Sequence, residues 1–227
     1  VLRENGLLSV RVERGLELLD AGASVAFAVA DHQIAHVYVN DASKMSVVRK
    51  TLEQIPGAAH VLDRDAQRKY HIDHERAGDF VLIADVQSWF TYYFWMDDSR
   101  APDYARTVDI HKKPGYDPVE MFMTSKLRAA WKLLRKKSGL RYVMDVIPLD
   151  ASLIKGSHGS IALQKQFFPV LISDMDLSVK DISAIDVYGV IWNTLSGERY
   201  ETLTETLKRS LRLIIICIYF LSGCKSN

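Results

Sequence analysis

The stretch VAFAVADH, residues 25–32, contains a continuous apolar run that stops abruptly at Asp31-His32. A strand with one solvated face alternates apolar and polar side chains, whereas a continuous apolar run indicates a strand that is covered on both faces. The run therefore predicts a central strand of a helix-covered sheet. Ligands of open α/β sheets collect at the carboxyl ends of such strands, which makes Asp31 and His32 candidate site residues.

The segments around this strand predict one α/β domain that is interrupted by an insertion of mixed character. We expect helices over residues 11–21, 43–55, 126–137 and 182–195, strands over 36–40, 80–85, 89–95 and 167–173, and a long loop over 97–118. The predicted divisions are a core segment (1–40), an insert (41–150), a return to the core (151–197) and a tail (198–227).

Two of the predicted helices carry further signals. The helix over 126–137 has an apolar stripe that includes Leu127, Trp131 and Leu134, opposite a face rich in Lys and Arg. This pattern predicts that one face packs on the protein while the basic face is solvated, with attraction of phosphate as the alternative. Ser178 and Asp181 have the spacing of a capping box before the helix over 182–195.

The composition excludes several classes of protein. Of the 227 residues, 48% are hydrophobic and 25% are charged, which is a globular balance rather than a disordered one. Lys and Arg number 29 against 28 Asp and Glu, so a net charge of +1 argues against a protein that grips a nucleic-acid polymer. Cys217 and Cys224 both lie near the C-terminus, which excludes a disulfide scaffold and a cysteine zinc site in the body.

Both ends of the chain have unusual sequences. Because residue 1 is Val, we expect the natural N-terminus to lie upstream, with trimming or a broken reading frame as alternatives. Near the other end, basic residues within 208–212 precede an apolar run over 213–221, which is shorter than the about 20 residues of a membrane-spanning helix. Residues 221–224 are similar to a lipoprotein signal, which cannot act at a C-terminus. The tail is therefore interpreted either as a buried C-terminal helix or strand, or as sequence that is not part of the natural protein.

Three segments could carry chemistry. Asp31-His32 offers a carboxylate and an imidazole, which are ordinary zinc ligands, although such a pair is also common as a helix cap with a surface His. His158 lies in the turn Gly156-Ser157-His158-Gly159, where glycines permit close approach to a ligand, or where the His is structural. The loop over 109–117 contains His and Lys side chains that could meet metal or phosphate, with an ordinary polar loop as the alternative.

The strand ending in Asp31-His32, followed much later by the turn around His158, resembles the alkaline phosphatase superfamily. The similarity is to the type I phosphodiesterase and nucleotide pyrophosphatase branch, including phosphonoacetate-hydrolase-like members, and it extends over about residues 1–195. The segment over 107–118 is also similar to bacterial members of that branch. The resemblance implies the C-terminal portion of an alkaline-phosphatase-like α/β fold, in which a mixed α+β cap interrupts the helix-covered sheet.

The resemblance also implies a metal-dependent hydrolase of phosphodiester, nucleotide pyrophosphate or phosphonate substrates. Two divalent ions, most often zinc, would be held by Asp31 and His32 on one side and by His158 on the other. In the family a Thr or Ser nucleophile and further ligands precede the Asp-His pair, but residues 1–30 contain no His. We therefore expect an incomplete chain that is inactive by itself.

The resemblance further implies a small phosphorylated substrate, which could be a nucleotide, rather than a nucleic-acid polymer. The wall of its site would include His111, Lys113 and Tyr116. No membrane span is expected, and the compartment stays open, with the cytoplasm favoured.

Two other functions remain possible from the sequence. A non-catalytic α/β module could bind a ligand or a protein through the aromatic segment 89–95, and the same aromatics could stack on single-stranded nucleic acid. The position of His158 discriminates between them and the hydrolase. A metal site requires the side chains of Asp31, His32 and His158 to converge, whereas a binding module does not.

Overall fold

The strands and helices of this computed structural model are given for residues 1–161, 165–172, 182–196 and 217–219, which are the residues that the structure describes. In chain order they are β1 (Ser9–Glu13), β2 (Leu16–Asp20), β3 (Ala26–Asp31), β4 (Ile34–Val39), α1 (Met45–Leu52), β5 (Ala58–Leu62), α2 (Arg64–Arg68), β6 (Phe80–Ala84), β7 (Gly115–Tyr116), α3 (Lys126–Lys137), β8 (Val170–Ile172), α4 (Val187–Ser196) and β9 (Cys217–Tyr219). The chain forms two compact units, the first containing Val1–Phe167 and the second Phe168–Leu221. Among the described residues, no helix has the length and apolar character needed to cross a membrane.

The first unit is built on a five-stranded mixed sheet with the order β5-β6-β4-β3-β7. Strands β3, β4, β6 and β5 pair antiparallel in turn, while β3 and β7 pair parallel. The α/β class and the interior position of β3 are therefore confirmed. Strands from both sides of the predicted boundary at residue 40 share this sheet.

The buried core lies between the sheet and the segments that cover it. Val48 and Leu52 of α1 pack in the same cluster as Ala26, Val37 and Leu82 of the sheet. The apolar side of α1 therefore belongs to the same core as these strands. In β3, Ala26 and Ala30 are buried and Phe27 to Val29 are half-buried, so neither face of residues 26–30 is fully exposed, which agrees with the absence of polar alternation.

The helix predicted over 11–21 is wrong, because this segment forms the hairpin of β1 and β2. Glu13 pairs with Leu16, so Arg14 and Gly15 make a two-residue turn. Both turn residues have positive φ, 52° and 83°, which matches the twist of the flanking strands. The spacing of Val12, Leu16 and Leu19 fits a helix, but Gly15 in the middle permits the tighter hairpin.

The strand predicted over 89–95 is also wrong, because this segment is irregular and buried. Tyr92, Phe94 and Trp95 are each 5–6% exposed. Phe94 and Trp95 are neighbours, so their side chains would point to opposite faces of a strand. Irregular backbone lets both rings enter one core, where they meet edge to face with centroids 5.4 Å apart.

Helix α3 has the predicted bounds, but its apolar stripe is not covered by the described residues. Leu127 is 83% exposed and Trp131 is 59% exposed, and no residue of the helix is buried. Ser125 caps the helix by accepting a hydrogen bond from the Arg128 N–H. The predicted packing of this stripe is therefore corrected to an exposed face.

The second unit contains shorter elements than the sequence predicts. The strand expected over 167–173 is reduced to β8, whose Val170 and Ile172 are exposed rather than buried, and it pairs antiparallel with β9. Helix α4 begins at Val187, after a 3-10 turn at Ala184–Asp186, rather than at residue 182. The proposed capping residues Ser178 and Asp181, and most of the tail, lie outside the described residues.

Candidate metal centre

A two-residue hairpin turn places the Asp-His pair at the end of β3. Asp31 pairs with Ile34, which leaves His32 and Gln33 as the turn. The Gln33 side chain is buried, and its Nε2 donates hydrogen bonds to the carbonyls of Asp85 and Ser88, both at 2.9 Å. The turn is therefore anchored to the chain beyond β6.

His32 has a backbone conformation that favours glycine. Its φ is 56°, in the left-handed region, which costs roughly 1–2 kcal/mol for a residue with a Cβ. The Phe90 N–H donates to the His32 carbonyl at 2.8 Å, which helps to hold this conformation. The residue is only 8% exposed, so the turn directs a buried imidazole beside the exposed carboxylate of Asp31.

The segment around His158 is fastened to the same turn. The Gln33 N–H donates to the His158 carbonyl at 3.0 Å, and the Ser160 hydroxyl donates to the Ala84 carbonyl at 2.8 Å. Gly159 has a φ of 103°, a conformation that L side chains rarely adopt. The first of these contacts joins positions that are 125 residues apart, and the second joins positions that are 76 residues apart.

The side chains of Asp31, His32 and His158 converge. Their candidate ligand atoms all lie within 4.8 Å of one another. Within this cluster, Nε2 of His32 is 4.0 Å from Oδ1 of Asp31, and the two imidazole rings stack with centroids 4.1 Å apart. A carboxylate oxygen and two imidazole nitrogens are donors that zinc commonly takes, so this set fits a divalent ion.

The protonation of His32 also fits a ligand. Burial lowers the pKa of His32, and the neighbouring His158 lowers it further, while Asp31 acts in the opposite direction. A metal ion is bound by the neutral imidazole. Near neutral pH the fold therefore presents His32 in the form that a divalent ion needs.

Strand β7 adds an aromatic ring to the cluster. Gly115 pairs with Ala30 in parallel register, and a Cβ on Gly115 would lie 2.1 Å from the Ala30 carbonyl oxygen. Only glycine permits this approach. The next residue, Tyr116, consequently stacks on the His32 ring with centroids 5.0 Å apart and an angle of 14° between the planes.

These groups line a surface cavity of about 290 Å³. Its lining residues are Asp31, His32, Tyr116, Pro118, Met121 and His158. Neither Lys nor Arg is among them. Among the residues that the structure describes, a phosphorylated ligand would therefore meet a carboxylate, imidazoles and apolar side chains, but no permanently cationic group.

The structure separates the other two residues predicted for the substrate wall from this cavity. Lys113 has a fully buried side chain whose ammonium pairs with Glu120, so its predicted contact with substrate is corrected to an interior ion pair. Burial also raises the pKa of the neighbouring Asp117 carboxyl, which accepts a hydrogen bond from the Tyr93 hydroxyl at 3.2 Å. His111 is exposed and does not line the cavity.

Sequence reasoning missed three residues of the site, one of which, Pro118, lines the cavity. Ser157 contacts Nδ1 of His32 through its hydroxyl, and Met121 lines the cavity. Ser157 stands within the quoted glycine turn, but a serine there has no distinctive spacing. Met121 is the last residue of a 3-10 turn at Pro118–Met121, which begins two residues after β7 ends.

A comparison with protein families identifies a family whose model matches the N-terminal half of the chain. The model described as type I phosphodiesterase / nucleotide pyrophosphatase matches residues 1–117, about half of the 227-residue chain. This range contains Asp31, His32 and Tyr116 and ends before His158. No curated protein and no solved structure matches the chain.

Proposed function

The chain belongs to the type I phosphodiesterase / nucleotide pyrophosphatase family, and from this premise we propose that it provides ligands for metal-dependent hydrolysis of small phosphorylated substrates. The substrate classes are phosphodiesters, nucleotide pyrophosphates and phosphonates. The observation that carries the proposal is the convergence of Asp31, His32 and His158 at one cavity. The non-catalytic module requires no such convergence.

The charge of the cavity makes an ion necessary for this function. In the part of the chain that the structure describes, the lining includes Asp31 but neither Lys nor Arg, so these residues alone offer little attraction to a phosphate. Bound divalent ions would supply the positive charge that binds the phosphoryl oxygens and stabilises an in-line displacement. Asp31 would offset part of that charge. The imidazoles of His32 and His158 would be the other ligands that this chain supplies.

The family arrangement of two zinc ions needs more groups than these three side chains. Residues 1–30, where the resemblance expects the nucleophile and further ligands, contain no His. We therefore assign three ligands to this chain and expect slow or undetectable turnover from it alone. Segments of residues 41–150 outside the sheet strands would set the substrate, and Tyr116 with Met121 gives the cavity an apolar wall that suits a nucleotide base.

Calorimetric titration of the chain with Zn²⁺ tests the proposal. We expect saturable binding that is lost in His158→Ala and retained in His60→Ala, which removes an exposed histidine remote in sequence from the cluster. Binding that is unchanged in His158→Ala would contradict the site. Rapid hydrolysis of a model phosphodiester by the unmodified chain would contradict the assignment of only three ligands to it.

A further inference from the structure

The two ring nitrogens of His32 have different neighbours. Nδ1 is in hydrogen-bond contact with the Ser157 hydroxyl, whereas Nε2 lies on the side of Asp31, 4.0 Å from its Oδ1. We infer that Ser157 is a positioning residue that directs Nε2 of His32, rather than Nδ1, toward the cation. This inference rests on the proposed metal site and assigns it an orienting group.

The chemistry of imidazole supports this role. A neutral ring has one N–H donor and one lone pair, and a metal ion takes the lone pair. The opposite N–H then needs an acceptor, which fixes the orientation of the ring and raises its basicity. A hydroxyl oxygen can accept from Nδ1–H, and its position beside Nδ1 also denies that nitrogen to an ion.

The location of Ser157 strengthens the argument. It immediately precedes His158, so one short segment carries both a candidate ligand and the group that orients another. The segment is held by the bond from the Gln33 N–H to the His158 carbonyl and by the bond from Ser160 to Ala84. The stacked His158 ring further limits rotation of His32. Ser157 is therefore a fixed partner rather than a mobile surface hydroxyl.

The test compares three variants in the full chain. Ser157→Ala removes the acceptor, Ser157→Thr keeps a hydroxyl, and Ser152→Ala removes an exposed hydroxyl that donates to Asp150 outside the cluster. Nitrogen-15 NMR of the imidazoles reports which nitrogen of His32 carries the proton and which binds Zn²⁺. Competition with a chromophoric chelator reports the affinity for Zn²⁺.

We expect Zn²⁺-bound wild-type protein to show a protonated Nδ1 and a metal-bound Nε2 at His32. Ser157→Ala should weaken the affinity by about 10- to 100-fold, Ser157→Thr should restore most of it, and Ser152→Ala should change it little. Metal on Nδ1, or equal losses in Ser157→Ala and Ser152→Ala, would overturn the inference while leaving the site intact. Absence of Zn²⁺ binding in the wild type would overturn the proposed function itself, and this inference with it.

Discussion

Gly115 determines at the scale of one residue whether Tyr116 can reach His32. Its φ of 129° and the 2.1 Å approach of a built Cβ to the Ala30 carbonyl oxygen exclude any side chain without movement of a strand. Gly115→Ala should therefore lower the free energy of unfolding by about 3 kcal/mol, from backbone strain and overpacking together. Denaturant unfolding followed by circular dichroism measures this change.

Gly139 provides the matched control for that substitution. It also has a positive φ, 69°, but a Cβ there meets nothing within 4 Å. Gly139→Ala should cost only the left-handed conformation, roughly 1–2 kcal/mol. Equal effects at the two positions would show that the close approach of β7 to β3 does not limit residue 115.

His36 should make stability depend on pH. Its Nδ1 accepts a hydrogen bond from the Gly78 N–H at 3.0 Å, and burial lowers its pKa. The unfolded chain, with a pKa of about 6.5 for this group, then binds a proton more readily than the folded chain. The contribution of neutral His36 to the free energy of unfolding is therefore complete above about pH 6.5. It is lost as the pH falls from about 6.5 toward the lower pKa of the folded state.

Urea unfolding between pH 8 and pH 5 checks this prediction. The wild type should lose stability toward pH 5, with His32 contributing in the same direction because burial also lowers its pKa. His36→Gln should reduce the change in the free energy of unfolding between pH 8 and pH 5. A variant at the exposed His60 should retain it, and an undiminished slope in His36→Gln would contradict the role of His36.

At the scale of elements, α1 and α3 should respond differently to loss of an apolar side chain. Leu52 of α1 is 1% exposed in the core, whereas Leu127 of α3 is 83% exposed. Leu52→Ala should cost about 2–5 kcal/mol, and Leu127→Ala should stay within about 0.5 kcal/mol. Thermal or urea unfolding distinguishes them, and a large loss in Leu127→Ala would show that this face is covered in solution.

Elements with one dominant local signal could be predicted from the sequence. The apolar run before Asp31 predicts β3, and the helical spacing of apolar residues over 126–137 predicts α3. The hairpin of β1 and β2 could not be separated from a helix, because its apolar spacing fits both and Gly15 decides. The prediction of a strand over 89–95 was wrong for another reason, because the burial of the neighbouring Phe94 and Trp95 follows from tertiary packing.

At the scale of the whole molecule, the sequence predicted the candidate ligands but not their surroundings. Asp31, His32 and His158 were recognisable from a strand end and a glycine turn, and the fold brings them together. Lys113 was misassigned because a charged loop residue is normally solvated, and only the position of Glu120 reveals its buried partner. The role of Ser157 could not be predicted either, because its contact is with His32, which lies 125 positions away in the sequence.

A divalent ion should stabilise the whole fold if the cluster binds it. Binding to the native state alone adds about 2.7 kcal/mol at a ligand concentration of 100 times Kd. We expect Zn²⁺ to raise the melting temperature of the wild type, a chelator to reverse the rise, and His158→Ala to abolish it. Equal shifts in the wild type and the variant would indicate binding elsewhere.

The contact between Nδ1 of His32 and Ser157 joins positions 125 residues apart. Closing a loop of that length costs about 4 kcal/mol of chain entropy by the logarithmic length relation alone. An ion shared between the two ends would therefore act as a reversible cross-link, comparable with a disulfide that a chelator can open. The association of these two segments would then depend on the local concentration of free metal ion.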